Sequence, residues 1–213
     1  MTATTAPGVK FFSGALLAVM LGACAPTLHL PGEAINQPML AGNGVHTADG
    51  QMLPLKTWAP EKGAPKAVII ALHGFNDYSN FFAAPGAFLA KHAIQSYAYD
   101  QRGFGAAPGP GLWPGTAALT DDLETMIRLI RGRHPQTPLY LLGDSMGGAV
   151  ILVAGGGGSI ADIDGVILAA PAVWGRITMP WYQRLGLWIG VRLIPALKLT
   201  GEGLGIKPSD NRE

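Results

Sequence analysis

One cysteine, Cys24, stands in 213 residues, so no disulfide can form within the chain. Charge is scarce too. Lys, Arg, Asp and Glu make up 14% of the residues, with 15 basic against 14 acidic, and no excess of cations is available to track a phosphate backbone. Nucleic acid is therefore not expected as a partner. Histidine occurs five times, at 29, 46, 73, 92 and 134, and never after that. The chain has no internal repeat and no heptad pattern. Disorder is excluded from the other side, because 48% of the residues are hydrophobic, ample for a core. The length fits one domain.

Serine is also rare, with six in the chain, and one of them has an informative setting. Gly143-Asp144-Ser145-Met146-Gly147-Gly148 follows the apolar run Leu139-Tyr140-Leu141-Leu142 and precedes Ala149-Val150-Ile151-Leu152. A β-type run, a Gly-x-Ser-x-Gly turn and a buried helix start predict a strand-to-helix elbow that exposes Ser145 as a nucleophile. Glycines flank the serine because side chains would collide with the strand and helix that meet there. A serine hydroxyl is a weak nucleophile at its own pKa and needs an adjacent base. All five histidines precede Ser145, so the base is expected to be missing from these residues.

Two further strands end in glycine-bearing turns. Residues 67–72, Ala-Val-Ile-Ile-Ala-Leu, are apolar throughout, as in a parallel strand covered on both faces, and lead into His73-Gly74-Phe75-Asn76. Such a turn can aim a backbone N–H at a developing oxyanion. His73 reads as a loop histidine bonded to backbone rather than as the base. Residues 96–99 lead into Asp100-Gln101-Arg102-Gly103-Phe104-Gly105. A dinucleotide-binding reading fails there, because Pro108 occupies the third small position and no helix follows at once. Asp100 and Arg102 read as a structural turn with a local ion pair.

Taken together, His73-Gly74-Phe75, Asp100-x-Arg102-Gly103-x-Gly105 and Gly143-x-Ser145-x-Gly147-Gly148 resemble the α/β-hydrolase fold. More narrowly they resemble the monoacylglycerol lipase and lysophospholipase group, whose domain is also labelled serine aminopeptidase-like. The likeness runs from about residue 47 to the end. It implies an α/β architecture with a mostly parallel sheet, flanking helices and a cap. It also implies Ser145 as nucleophile, the backbone N–H groups of Phe75 and Met146 as oxyanion hole, a lipid or small ester as substrate, and neither cofactor nor metal. The triad acid and histidine have no matching positions. Asp162 and Asp164 sit before the next strand and Asp210 sits beside the cap. The fold would then lack its last strands, with about 60–100 residues absent. The expectation is a truncated serine ester hydrolase; the competing one is a non-catalytic acyl-binding lipoprotein with a degenerate hydrolase fold.

The amino terminus carries an address. Residues 1–10 hold one positive charge, 11–21 form a short apolar core, and Leu21-Gly22-Ala23-Cys24 follows. A core of that length suits a signal peptide rather than a bilayer span. The residues before Cys24 resemble a bacterial lipobox; an ordinary secretory signal with a coincidental cysteine is the alternative. Cleavage before Cys24 removes Lys10 and no acid, so 15 basic residues become 14 against 14 acidic. The expected organisation is a lipoprotein signal peptide over 1–23, a Pro- and Gly-rich tether over 24–44, a hydrolase core over 45–173 and a cap over 174–213. The expected location is the bacterial cell envelope, with the protein held to a membrane through lipid on Cys24 and facing the periplasm or exterior.

Within the core, residues 51–58 suggest an early strand, and 80–92 a helical stretch broken near Pro85-Gly86. Leu119, Leu123, Met126, Ile127 and Ile130 fall at helical spacing, with Asp121, Asp122 and Glu124 early and Arg128, Arg131 and Arg133 late, as the helix dipole favours. Residues 166–170 read as the next strand and 155–158, four glycines, as a loop. The cap mixes Trp174, Trp181, Tyr182 and Trp188 with Arg176, Arg184, Arg192 and Lys198, and Pro180 and Pro195 bracket a candidate helix.

Overall fold

A computed structural model describes residues 28–158, 160–175 and 177–194. The segment read as a signal peptide, Cys24, the start of the segment read as a tether, Ser159, Arg176, and everything from Pro195 onward, including Lys198 and Asp210, lie outside the described residues. Two compact units divide between Val173 and Trp174.

The first unit is a seven-stranded sheet. Its strands are β1 (Met39–Ala41), β2 (Gly44–His46), β3 (Met52–Trp58), β4 (Ala67–Leu72), β5 (Ile94–Tyr99), β6 (Leu139–Asp144) and β7 (Gly165–Ala169), in the spatial order β1-β2-β3-β5-β4-β6-β7. The first four in that order pair antiparallel; β5, β4, β6 and β7 run parallel. The parallel strands are joined through α1 (Ala83–Lys91), α2 (Thr116–Arg133) and α3 (Met146–Gly156). This is the mostly parallel α/β-hydrolase architecture. Alternate residues of β4 enter different cores: Val68, Ile70 and Leu72 pack with Leu119, Leu123 and Met126 of α2 and Val150 and Ile151 of α3. Ile69 and Ala71 pack with Phe82 and Ala98, and Leu89 of α1 lies against them. Burial on both faces explains why β4 is apolar at every position.

The described part of the tether segment is folded rather than extended. Leu28 bridges to Trp113, the Gly32 N–H donates to Asp49 at 3.1 Å, and β1 and β2 form a hairpin within residues 39–46. Its two-residue turn holds Gly42 at φ +57°. Glycine there marks a hairpin turn, which has the same local composition as a linker. The helix expected to break at Pro85-Gly86 runs straight through. Pro85 occupies the first turn of α1, where an N–H has no intrahelical partner to lose. Gly86 lets the helix approach Trp58, whose ring a methyl there would meet at 2.5 Å. Likewise Gly155 and Gly156 finish α3, and only Gly158, at φ +75°, turns the chain away.

In the second unit, Pro180 caps α4 (Trp181–Leu193), which has no buried residue. Among the described residues no helix is long and apolar enough to cross a membrane.

Candidate active site

Three strand ends build the site. β6 delivers Ser145 between its last residue, Asp144, and the first residue of α3, Met146. Ser145 has φ +46° and ψ −108°, a conformation costly for a residue with a Cβ and typical of a strained functional position. Its main chain is pinned on both sides. The Ser145 N–H donates to the Ala169 carbonyl at 2.9 Å, and the Ser145 carbonyl accepts from Ala172 at 2.9 Å and Ala149 at 3.2 Å. The end of β7 thus holds the turn that β6 begins. The turn tolerates little bulk: a methyl on Gly143 would lie 2.5 Å from the Gly148 nitrogen, and one on Gly147 would strike the Leu72 carbonyl oxygen. Met146 opens α3, so its N–H has no intrahelical carbonyl to reach. Together with the dipole of the helix start, that N–H is suited to an anion.

β4 delivers the neighbouring loop. Gly74 lies close against the elbow; a methyl there would be 3.4 Å from the Ser145 Cβ and 3.2 Å from Asp144 Oδ2. Phe75 follows it, exposed, with its ring edge-to-face on Phe104 at 5.4 Å. His73 is fully buried. The Gln101 N–H donates to His73 Nε2 at 3.0 Å, so Nε2 carries no proton, and Nδ1–H donates to the Gly74 carbonyl at 2.7 Å. Burial pushes the His73 pKa down, in keeping with a neutral ring. The Gln101 side-chain amide closes the clasp by donating to the His73 carbonyl at 2.9 Å. Both ring nitrogens are thus committed to holding the loop, and His73 has no lone pair left for a substrate proton. His92 bonds the Phe88 carbonyl and His134 the Tyr97 hydroxyl, so these rings serve elsewhere as well.

β5 delivers the third loop, where the ion pairing differs from expectation. Asp100 and Arg102 do not pair with each other. Asp100 accepts from the N–H groups of Ser79 at 2.8 Å and Ala106 at 2.9 Å. Arg102 instead forms bidentate contacts with Asp49, at 2.5 and 2.9 Å, and with Asp122, at 2.7 and 3.0 Å. Residues two apart share a face only while the chain stays extended; β5 ends at Tyr99 and Arg102 already lies in a turn, so that alignment does not carry through. Asp122, assigned only to the dipole of α2, is therefore a buried partner. A signal was present: it lies three residues from Leu119 and four from Met126, on the apolar stripe. Arg102 holds the Asp49 carboxyl well below the usual range, whereas burial outweighs Arg102 at Asp122 and pushes its pKa up to about 6.

Asp144, beside the serine, has its pKa raised by burial and by Asp77. Asp164 accepts from the Leu139 N–H at 2.8 Å and from Arg131 at 2.9 Å, at the end of the parallel strands opposite Ser145. A cleft of about 460 Å³ opens beside the loop that follows β4, walled by Phe75, Tyr78, Phe104, Leu112 and Trp113. No group of three or more His, Cys, Asp or Glu among the described residues is arranged to hold a metal ion.

A family model described as serine aminopeptidase, S33, matches residues 63–213. The chain belongs to this family. A putative monoglyceride lipase of Schizosaccharomyces pombe is 34% identical over 122 residues, 54% of this chain and 32% of that protein. The monoglyceride lipase of Rattus norvegicus is 29% identical over 127 residues, 59% of this chain and 41% of that protein. A soluble variant of Saccharomyces cerevisiae monoglyceride lipase, solved with a substrate analogue, shares the fold with a TM-score of 0.55 at 21% identity, over 76% of this chain and 55% of its own. The S33-family chain thus spans about a third to two fifths of the length of these two curated relatives.

Proposed function

We propose that this chain is the amino-terminal part of a serine hydrolase that cleaves fatty-acyl esters such as monoacylglycerols and lysophospholipids, with Ser145 as nucleophile. The observation that carries the reading is the Ser145 backbone at φ +46° on a strand-to-helix turn, beside the opening N–H of α3. Monoglyceride lipases among the relatives supply the substrate class. Ser145 Oγ attacks the ester carbonyl carbon while a base takes its proton. The N–H groups of Met146 and Phe75 receive the negative charge that develops on the carbonyl oxygen. The base returns the proton to the departing alcohol, and water then releases the fatty acid from the serine ester. Since His73 is committed to its loop, the base and its orienting acid are assigned to sequence following Glu213.

The test compares two lengths of the same reading frame. The chain extended through a downstream Asp and His hydrolyses monoacylglycerol, and Ser145→Ala lowers kcat by several orders of magnitude. The 213-residue chain alone turns over little. Undiminished hydrolysis in Ser145→Ala sinks the assignment. Attachment to a bacterial envelope membrane through lipid on Cys24 is part of the same proposal. Metabolic palmitate labelling that persists in Cys24→Ser would refute it.

A further inference from the structure

Residues 103–115, between β5 and α2, contain no helix or strand, yet Phe104, Leu112 and Trp113 supply one side of the cleft beside Phe75. This loop has little to hold it in place by itself. Three of its thirteen residues are prolines, which have no N–H to donate, and all five of its glycines sit at positive φ. Glycine loses more freedom on ordering than any other residue. Within the loop, the Gly103 N–H donates to the Pro108 carbonyl at 3.0 Å, Gly111 to Gly103 at 2.9 Å and Leu112 to Gly109 at 2.9 Å. Three consecutive residues meet its second half from outside. The His29 N–H donates to the Trp113 carbonyl at 3.0 Å, and Leu28 bridges to Trp113 in parallel. A methyl on Gly109 would lie 2.7 Å from the His29 ring, and one on Gly115 would lie 3.4 Å from Leu30 Cδ2. Further along, the Gly32 N–H donates to Asp49, and the Ile35 and Asn36 N–H groups donate to the Ala48 carbonyl at 2.8 and 2.9 Å. Asp49 in turn holds Arg102, the residue just before the loop.

Residues 28–36 therefore reach both ends of the loop. Main-chain donors at 29, 32, 35 and 36 fix a register as well as cover surface, which side-chain packing alone would not do. We propose that residues 28–36 are a strap that positions the wall of the cleft, with His29 as a positioning residue for substrate binding. This rests on the reading of the chain as an ester hydrolase whose substrate enters that cleft. The strap bonds to Trp113, Ala48 and Asp49, whereas Ser145 is pinned by Ala169 and Ala172, and the loop bearing Phe75 by His73 and Gln101. Loosening the strap lowers the fraction of molecules with the wall in place and weakens affinity in proportion. The bond-making step at Ser145 is left as it was.

The test uses the full reading frame, extended past Glu213. It compares His29→Pro, which removes the donor to Trp113, with His29→Ala, which keeps that donor and removes only the ring beside Gly109. Amide exchange at Gly111 and Leu112 should quicken about tenfold in His29→Pro, the worth of one net hydrogen bond, and by less in His29→Ala. Exchange at Val150 and Ile151 in α3 should stay at the parent rate, which shows that the core is folded. The dissociation constant of 1-O-octylglycerol, an ether that cannot be hydrolysed, should rise about threefold or more in His29→Pro, with kcat for monooctanoylglycerol unchanged. Unchanged exchange at Gly111 and Leu112, an unchanged dissociation constant, or a loss confined to kcat overturns the strap. If Val150 and Ile151 also quicken in His29→Pro, His29→Ala is judged by the same readouts, and parent-like exchange and affinity there overturn it equally. A parent that does not bind the ether overturns it too. A parent that binds the ether and hydrolyses no ester overturns the hydrolase reading alone, and exchange and affinity still decide the strap.

Discussion

Gly147 occupies the tightest point of the elbow, where α3 begins and the end of β4 passes behind it. A methyl there meets the Leu72 carbonyl oxygen, so β4 or α3 has to move. Gly147→Ala is expected to cost about 2–3 kcal/mol, in the range of strained close approaches. Gly156, on the same helix, has nothing within 4 Å of such a methyl, and alanine there should be neutral or slightly stabilising. Denaturant midpoints of the two variants check the pair, and similar losses at both positions would show that packing at the elbow is not the cause. At this scale the sequence was informative wherever a residue's role is local. The serine turn and the backbone-bonded His73 could be read from their immediate neighbours. Gln101 could not, because its bonds to His73 exist only once β4 and β5 lie side by side in the sheet.

Arg102 fastens separate elements together: Asp49 from the turn between β2 and β3, Asp122 from α2, and the loop after β5. One cation serves two buried carboxylates, and Asp122 titrates near 6 in the folded chain against an ordinary value of 3.8. Between those values the folded state binds more protons than the unfolded state at this position, so stability falls as pH rises from about 4 to 6. Asp49 shifts the other way and contributes stability above its ordinary value, lost as pH falls below about 4. Asp122→Asn should remove the decline between pH 4 and 6, worth on the order of 2–3 kcal/mol, and leave the acid limb. Urea unfolding of both proteins across pH 3–8 tests this; parallel profiles would contradict it. Element reading from sequence followed the same logic of period and length. The apolar runs of β4 and β6 and the 3.6-residue stripe of α2 declare themselves. Strands of three residues, β1 and β2, are too short to show a period, and their Pro and Gly neighbours look like a linker.

Across the whole sheet, burial is lopsided. β4 is covered on both faces, whereas β7, at the end of the strand order, has Val166, Ile167 and Leu168 at 44%, 47% and 37% exposure. An apolar edge strand with one row of unpaired N–H and C=O groups is a template for pairing with another chain. Ile167→Lys should therefore reduce concentration-dependent light scattering of the 213-residue chain with little loss of stability. Unchanged scattering would place the sticky surface elsewhere. That a strand lay at 166–170 was legible from its apolar run; its exposure was not, because the run reads the same whether or not neighbours cover it.

The Ser145 amide has a second consequence through its bond to the Ala169 carbonyl. A residue at a helix start beside the core would ordinarily exchange its amide hydrogen with the opening of that helix. Here the partner is the last residue of the edge strand, so exchange at Ser145 should track fraying of β7 and outpace that of Val150 and Ile151 within α3. Deuterium uptake by the amide of the proposed nucleophile then becomes a clock for the sheet margin, and anything that pairs with β7 should slow it.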